Sequence, residues 1–189
     1  MSDYIVFNTE TQAFGIQPGQ FKCSGYGLGT MVAQMDNPKV LEIGCDIGDT
    51  TQFLLDSNPK LNLIGVDPYE NYTDWNGNLL HDRNECYNRF MNRTNPYKDR
   101  FVLIRDYSDN AASMLLDNHF DLIFIDGLHT YEQLTKDCAN YYRKLKTGGV
   151  FAGHDYNAIE GVRRAADQFA DSVGKQILLT ECDVWYWIK

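Results

Sequence analysis

No apolar run in this 189-residue chain approaches the length that spans a bilayer, so no membrane-crossing helix is expected. Residues 1–12 lack both the basic start and the apolar stretch of a secretory leader, so no export signal is expected either. Positive charge is in deficit: 17 Lys and Arg stand against 26 Asp and Glu, a formal net charge of −9. A surface of that sign repels phosphate backbones and anionic lipid, which argues against nucleic acid and membranes as partners. Cysteine is scarce and scattered. Cys23, Cys45, Cys86, Cys138 and Cys182 are odd in number and form no C-x-x-C pair. Neither a disulfide framework nor a zinc cluster is indicated, and free thiols of a reducing, cytoplasmic compartment are expected. Internal repeats and low-complexity tracts are also missing.

What remains is ordinary globular composition, 43% hydrophobic and 23% charged, in a length that suits one core. Residues 1–38 have weak periodicity and read as a capping segment with a short helix over 28–35. Gln17, Gln20 and Tyr26 in this segment are candidates to complete a pocket or to join a homodimer. Asp36-Asn37-Pro38 breaks the chain before the first regular strand. Strands are then predicted at 39–43, 61–66, 100–105, 120–125 and 150–154, alternating with helices at 49–56, 78–93, 108–116, 131–145 and 157–170. Two closing strands, 176–180 and 184–188, flank a turn at Cys182-Asp183. This pattern predicts an α/β fold, a Rossmann-like, doubly wound, mostly parallel seven-stranded sheet with one antiparallel strand near the C-terminus. One domain over residues 1–189 is expected.

The stretch Val40-Leu41-Glu42-Ile43-Gly44-Cys45-Asp46-Ile47-Gly48-Asp49-Thr50 carries the first functional signal. An apolar strand ends in an acid and a glycine-punctuated turn, and the next strand ends in a second acid, Asp67. Ligands of open parallel sheets bind beyond the carboxyl ends of the strands. A carboxylate there can grip two ribose hydroxyls, so a nucleoside-containing cofactor is expected. The dinucleotide fingerprint needs a glycine where this chain has Asp46. An acid faces a pyrophosphate unfavourably but suits a cationic cofactor such as S-adenosylmethionine.

Glu42-x-Gly44-x-x-x-Gly48 followed by Asp67 resembles the cofactor motifs of class I S-adenosylmethionine-dependent methyltransferases. Asp121-Leu122-Ile123-Phe124-Ile125-Asp126-Gly127-Leu128-His129-Thr130-Tyr131 and Gly148-Gly149-Val150-Phe151-Ala152-Gly153-His154-Asp155-Tyr156 are similar to a narrower branch. That branch holds small, metal-dependent sugar O-methyltransferases of the macrocin O-methyltransferase type. The resemblance spans about residues 39–188, and Asp46 departs from the commoner G-x-G-x-G pattern. It implies that Glu42, Gly44, Asp46, Gly48 and Asp126 line the cofactor, with Gly44 to Gly48 against its methionine part. It further implies that Asp67 holds the ribose and that Asp106, Tyr107 and Ser108 sit by the adenine.

Asp126, His129, His154 and Asp155 should gather at one sheet edge, because all follow neighbouring strands. Two carboxylates at one mouth repel unless a cation lies between them, and a divalent metal is expected on Asp126 and Asp155. Relatives often carry an acid where this chain has His154. Magnesium accepts nitrogen poorly, so either His154 is no ligand or manganese is preferred. His129 is the expected general base for a hydroxyl acceptor. Tyr131 reads as structural, and His81 and His119 as surface residues. Residues 69–99 form the longest connection and mix Tyr69, Tyr72, Trp75, Tyr87 and Phe90 with asparagines. Such a segment suits a sugar or other glycan acceptor, suits a catechol-like ring as well, or simply packs on itself. A nicotinamide oxidoreductase and a non-catalytic cofactor-binding protein are the other classes. Binding alone has no need of Asp126, His129 and Asp155 together.

Overall fold

The computed structural model describes residues 3–8, 13–18, 26–71 and 82–189. Strands β1 (Asp3–Asn8) and β2 (Ala13–Pro18) pair antiparallel as a two-stranded sheet. The expected capping segment thus contains a hairpin that periodicity did not reveal, because both runs are short and Gly15 interrupts the second. Helix α1 (Tyr26–Ala33) starts and stops two residues before the expected bounds.

The main sheet has seven strands: β3 (Lys39–Ile43), β4 (Asn62–Val66), β5 (Phe101–Ile104), β6 (Phe120–Ile125), β7 (Leu145–Gly153), β8 (Leu178–Leu179) and β9 (Trp185–Ile188). Their spatial order is β5-β4-β3-β6-β7-β9-β8. Strands β3 to β7 run parallel, and β9 lies antiparallel between β7 and β8. The chain winds outward from β3 to β5, returns to β6 and winds the other way, so the switch point lies between β3 and β6. Strands at the centre of such a sheet are covered on both faces, which is why β6 reads as a nearly continuous apolar run.

Side chains alternate across the sheet. Leu41, Ile43, Ile123, Ile125 and Phe151 pack with α5 (Tyr131–Tyr142) and α6 (Glu160–Ser172). Val40, Leu63, Leu122, Phe124 and Ala152 pack with α1 and α2 (Asp49–Ser57). Trp185 and Trp187 of β9 stack at 5.3 Å between centroids, and Trp187 lies 5.2 Å from the Phe151 ring. These large rings close the core at the antiparallel end.

Three boundaries differ from expectation for physical reasons. Helix α5 ends at Tyr142 because buried Lys144 turns inward, its ammonium donating to Leu115 O (2.8 Å) and Asp117 (3.0 Å). Strand β7 therefore begins at Leu145 and carries a bulge: Phe120 pairs Leu145, but Leu122 pairs Val150. The expected helix over 108–116 is only α4 (Ser108–Ala111) plus a 3₁₀ turn, Ala112–Met114. Helix α3 is Arg83–Thr94, and the expected start at 78–81 lies outside the described residues.

The three central strand tips are tied together at one point. Gly44 N–H donates to Val66 O (2.8 Å), and Asp126 N–H donates to Ile43 O (2.7 Å). Gly44 sits at φ +86, and a Cβ there would run into the Asp126 carbonyl. Backbone crowding leaves no room for any side chain. Gly44→Ala is expected to lower the unfolding free energy by about 3 kcal/mol or more. Equilibrium urea denaturation checks this, and a loss below about 1 kcal/mol would contradict the account of the strand junction.

Candidate active site

The turn after β3 wraps the carboxylate of Asp67, the residue after β4. Cys45 N–H and Asp46 N–H each donate to Asp67 Oδ2 at 3.1 Å, and Tyr69 N–H donates to Oδ1 at 2.9 Å. Arg83, the first residue of α3, adds two bonds from Nη2, one to each oxygen at 3.1 Å. Its Nη1 donates to Asp46 at 2.6 Å. Asp46 has φ +43, a left-handed conformation that Asp tolerates better than most residues. Gly48, at φ +83, starts α2, and a Cβ there would press on the Phe90 ring at 2.9 Å.

Across the sheet, the predicted acid and histidine cluster forms. His129 Nε2 lies 3.1 Å from Asp126 Oδ1 and 2.9 Å from Asp155 Oδ2. His154 Nδ1 lies 3.1 Å from Asp155 Oδ1 and 3.6 Å from Asp126 Oδ1. Burial opposes charge on both rings, but bonds and charges from the two carboxylates outweigh it and hold each imidazole at about 9. Asp155 is held well below the usual carboxylate range: burial opposes this, and the two histidines prevail.

The C-terminal turn orients this cluster. Cys182 O, an acceptor only, lies 2.8 Å from His154 Nε2, so that nitrogen carries its hydrogen and Nδ1 faces the carboxylates. The Asp183 carboxylate accepts from Asn157 N–H (2.8 Å) and Ala158 N–H (3.0 Å), fixing the loop that carries Asp155 at φ +58. One donor atom each from Asp126, His154 and Asp155 lies within 4.8 Å of the others. Two carboxylate oxygens and an imidazole lone pair pointing at one place repel one another unless a proton or a cation sits there. Such a donor set suits a borderline divalent ion, and the Nε2–H···O=C bond is the kind of outer support that metal-bound histidines receive.

Between these two halves opens a cavity of about 1360 Å³. It exceeds the roughly 300–1,000 Å³ of a common single-ligand site, so it has room for a cofactor and an acceptor together. Among the described residues nine carboxyl side chains line it, of which Glu42 keeps its proton, against the Arg83 guanidinium and the two imidazoles of His129 and His154, so acids remain in excess. This charge balance favours a cationic ligand and disfavours a pyrophosphate. The cavity therefore fits S-adenosylmethionine better than a nicotinamide dinucleotide.

Glu42, Gly44, Asp46, Asp67, Tyr107, Ser108, Asp126, His129 and His154 all border the cavity. Asp106, Gly48 and Asp155 are not among its lining residues. The Asp106 carboxylate accepts from Tyr107 N–H (2.7 Å) and the Asn110 amide (2.8 Å), which fixes the start of α4. Of the aromatic segment expected to meet an acceptor, Tyr69 and Phe90 are buried, and Tyr69 packs on both Tyr87 and Phe90. Those three build a local core. Tyr72, Trp75 and His81 lie outside the described residues, as do Gln20 and the side chains of Gln17 and Tyr26. Tyr131 is structural as expected, bonding Gln168 with Arg164 over its ring. His119 packs edge-on against Phe120.

Sequence reasoning missed Arg83, Gln133 and Asp137. The Gln133 amide donates to Ser108 (3.1 Å), Asp109 (3.3 Å) and Asp137 (3.2 Å), joining α5 to the start of α4. Burial pushes Asp137 up to about 6, against its bonds to Ser108 and Gln133. The available signal was a polar i,i+4 pair beside the apolar positions Leu134, Cys138 and Tyr141.

The model of the protein family described as methyltransferase domain matches residues 41–156. The chain belongs to the methyltransferase-domain family. R132, an uncharacterised protein of Acanthamoeba polyphaga mimivirus, is 28% identical over 127 residues, 65% of this chain. The match covers 53% of R132, so the chain spans about half the length of that relative. A Staphylococcus aureus protein described as a candidate caffeoyl-CoA O-methyltransferase superposes with a TM-score of 0.66 at 14% identity. That superposition covers 91% of this chain and 85% of the other. The Podospora anserina methyltransferase PaMTH1, bound to S-adenosylhomocysteine, superposes with a TM-score of 0.58 at 15% identity. There the coverage is 88% of this chain and 80% of the other. These similarities show that the chain shares the fold of those methyltransferases.

Glu42 lies beneath the methyltransferase turn, buried, with Thr51 donating to its Oε2 at 2.5 Å. Burial pushes its carboxyl up to about 8; the charges of Asp126 and Asp67 add to this, and the Thr51 bond opposes it. In the unfolded chain the group loses its proton near 4.5. From pH 4.5 to 8 the unfolded state therefore binds fewer protons, and stability falls as pH rises. Glu42→Gln should remove a loss of a few kcal/mol between pH 5 and 8, so its advantage over the parent chain grows across that window. Denaturant midpoints at both pH values check this. A constant difference between the two proteins would contradict it.

Proposed function

We propose that the protein is an S-adenosylmethionine-dependent O-methyltransferase that acts on a hydroxyl of a sugar or glycosylated small molecule, assisted by a divalent cation. The observation that carries this reading is the cluster of Asp126, His129, His154 and Asp155, of which Asp126, His129 and His154 line an acid-lined cavity and Asp155 lies behind them on the two histidines. Gly44 through Asp46 would lie against the amino-acid end of the cofactor, Asp67 would hold its ribose, and Tyr107 and Ser108 would flank its adenine. Asp126, Asp155 and His154 Nδ1 would hold the metal. When bound, the cofactor supplies an electrophilic methyl carbon on a cationic sulfur, and the metal supplies acidification of an oxygen nucleophile.

The remaining work falls to this chain's own side chains. With its proton on, His129 is a cation between two acids and cannot act as a base. Once those acids are engaged elsewhere, the cause of its raised affinity for protons is gone. Its Nε2 can then take the hydrogen of an acceptor hydroxyl, a contribution typically worth ~10²–10⁴ in rate. The cavity walls align acceptor and methyl carbon, which supplies a further large share. A sugar acceptor is favoured by the two motif segments around Asp126 and Asp155. A catechol-like acceptor is the second candidate in the same assay.

Methyl-labelled S-adenosylmethionine, offered with sugars, glycosylated metabolites and catechols, tests the reading. Label is expected on a hydroxyl oxygen, abolished by chelator and restored by Mn²⁺ or Mg²⁺. Asp126→Asn and His129→Ala should each cut turnover by about 10²-fold or more while S-adenosylhomocysteine still binds. Undiminished transfer in thorough chelation would overturn the metal assignment, and normal turnover by His129→Ala would overturn the base. Label on nitrogen or carbon would overturn the acceptor class.

A further inference from the structure

The Asp67 carboxylate is saturated. Four donor nitrogens make five contacts with its two oxygens: the main-chain N–H groups of Cys45, Asp46 and Tyr69, and Arg83 Nη2, which reaches both. A carboxylate offers about four acceptor sites, so none remains for a ligand. A ribose diol needs two. The main-chain donors belong to the turns after β3 and β4 and cannot withdraw without undoing those turns. The two contacts from Arg83 come from one side chain. That side chain is only 5% exposed and packs over the Tyr69 ring, with Cζ 5.3 Å from its centroid.

We infer that Arg83 sets the nucleoside affinity of this site by occupying the acceptor positions on Asp67 that a vicinal diol must take. This rests on the reading of Asp67 as the ribose-binding acid. Asp46 is the second part of the device. Its carboxylate is 57% exposed and holds Arg83 Nη1 at 2.6 Å. A guanidinium displaced from Asp67 thus keeps a partner at the cavity rim and is not stranded without a counter-charge. This gives a physical reason for an acid at position 46, where related motifs carry glycine. Binding must break charge-assisted bonds to gain new ones, so the nucleoside is held less tightly than a vacant carboxylate would hold it.

Calorimetric titration of S-adenosylhomocysteine tests this, with thermal melting as a check on folding. Arg83→Met keeps the aliphatic stem but donates nothing, and it should bind the ligand about tenfold more tightly than the parent protein. Arg83→Lys, with one ammonium in place of the fork, should fall between them. Asp46→Asn removes the rim partner and should weaken binding about threefold or more, an effect that disappears in the Arg83→Met background. Equal or weaker binding by both Arg83 variants would overturn the inference, as would an Asp46→Asn effect that persists without Arg83. Should Arg83→Met fail to fold, Arg83→Lys and the Asp46→Asn titration carry the same decision. If the parent protein and all variants fail to bind the ligand, it is the reading of Asp67 as the cofactor acid that fails.

Discussion

Carboxylate crowding at the carboxyl ends of β3, β4, β6 and β7 is the constraint on which the rest of this structure depends. Glu42, Asp46, Asp67, Asp126 and Asp155 meet there because a doubly wound sheet brings its strand tips to one edge. Each acid is compensated differently. Glu42 keeps its proton, pushed up to about 8 by burial. Asp67 is wrapped by main-chain N–H groups and Arg83. Asp126 and Asp155 share His129 and His154. The fold thus assembles an electronegative cavity and supplies local cations and hydrogen-bond donors that ligands can replace.

That exchange links the two halves of the site. In the proposed reading, a sulfonium donor, a ribose diol and a divalent ion each take over a role that a side chain plays in the described structure. In that reading, imidazolium groups stand where the metal would bind and a guanidinium where the ribose would bind. The C-terminal turn matters for the same reason. Cys182 and Asp183 both adopt positive φ, and their oxygens fix His154 and the Asp155 loop. The last strand pair therefore does more than extend the sheet, since it sets which nitrogen of His154 faces the acids.

Much of this was legible in the sequence because it depends on local patterns. A short apolar run ending in an acid announced β3, a nearly continuous one announced β6, Gly44 and Gly48 announced the turn, and topology alone predicted that Asp126, His129, His154 and Asp155 would converge. The bulge in β7 was not legible, since Gly148-Gly149 reads as a helix stop, and neither was the burial of Lys144, a residue whose type suggests the surface. Arg83 was missed because its partners lie 16 and 37 residues away and its own segment reads as a polar helix. Asp106 was placed by the adenine on motif position, and the structure adds a second role, since its Oδ1 accepts two bonds that fix the start of α4. The aromatic residues Tyr69, Tyr87 and Phe90 suggested a binding surface, but three rings close in sequence are as easily satisfied by one another.

A paired calorimetric titration of the purified protein with S-adenosylmethionine and with a nicotinamide dinucleotide, at low and moderate salt, tests the central claim most directly. An acid-lined cavity should bind the sulfonium cofactor with an affinity that weakens as salt rises, and should show no measurable heat with the pyrophosphate-bearing one. Binding of the dinucleotide with no binding of S-adenosylmethionine would contradict the account.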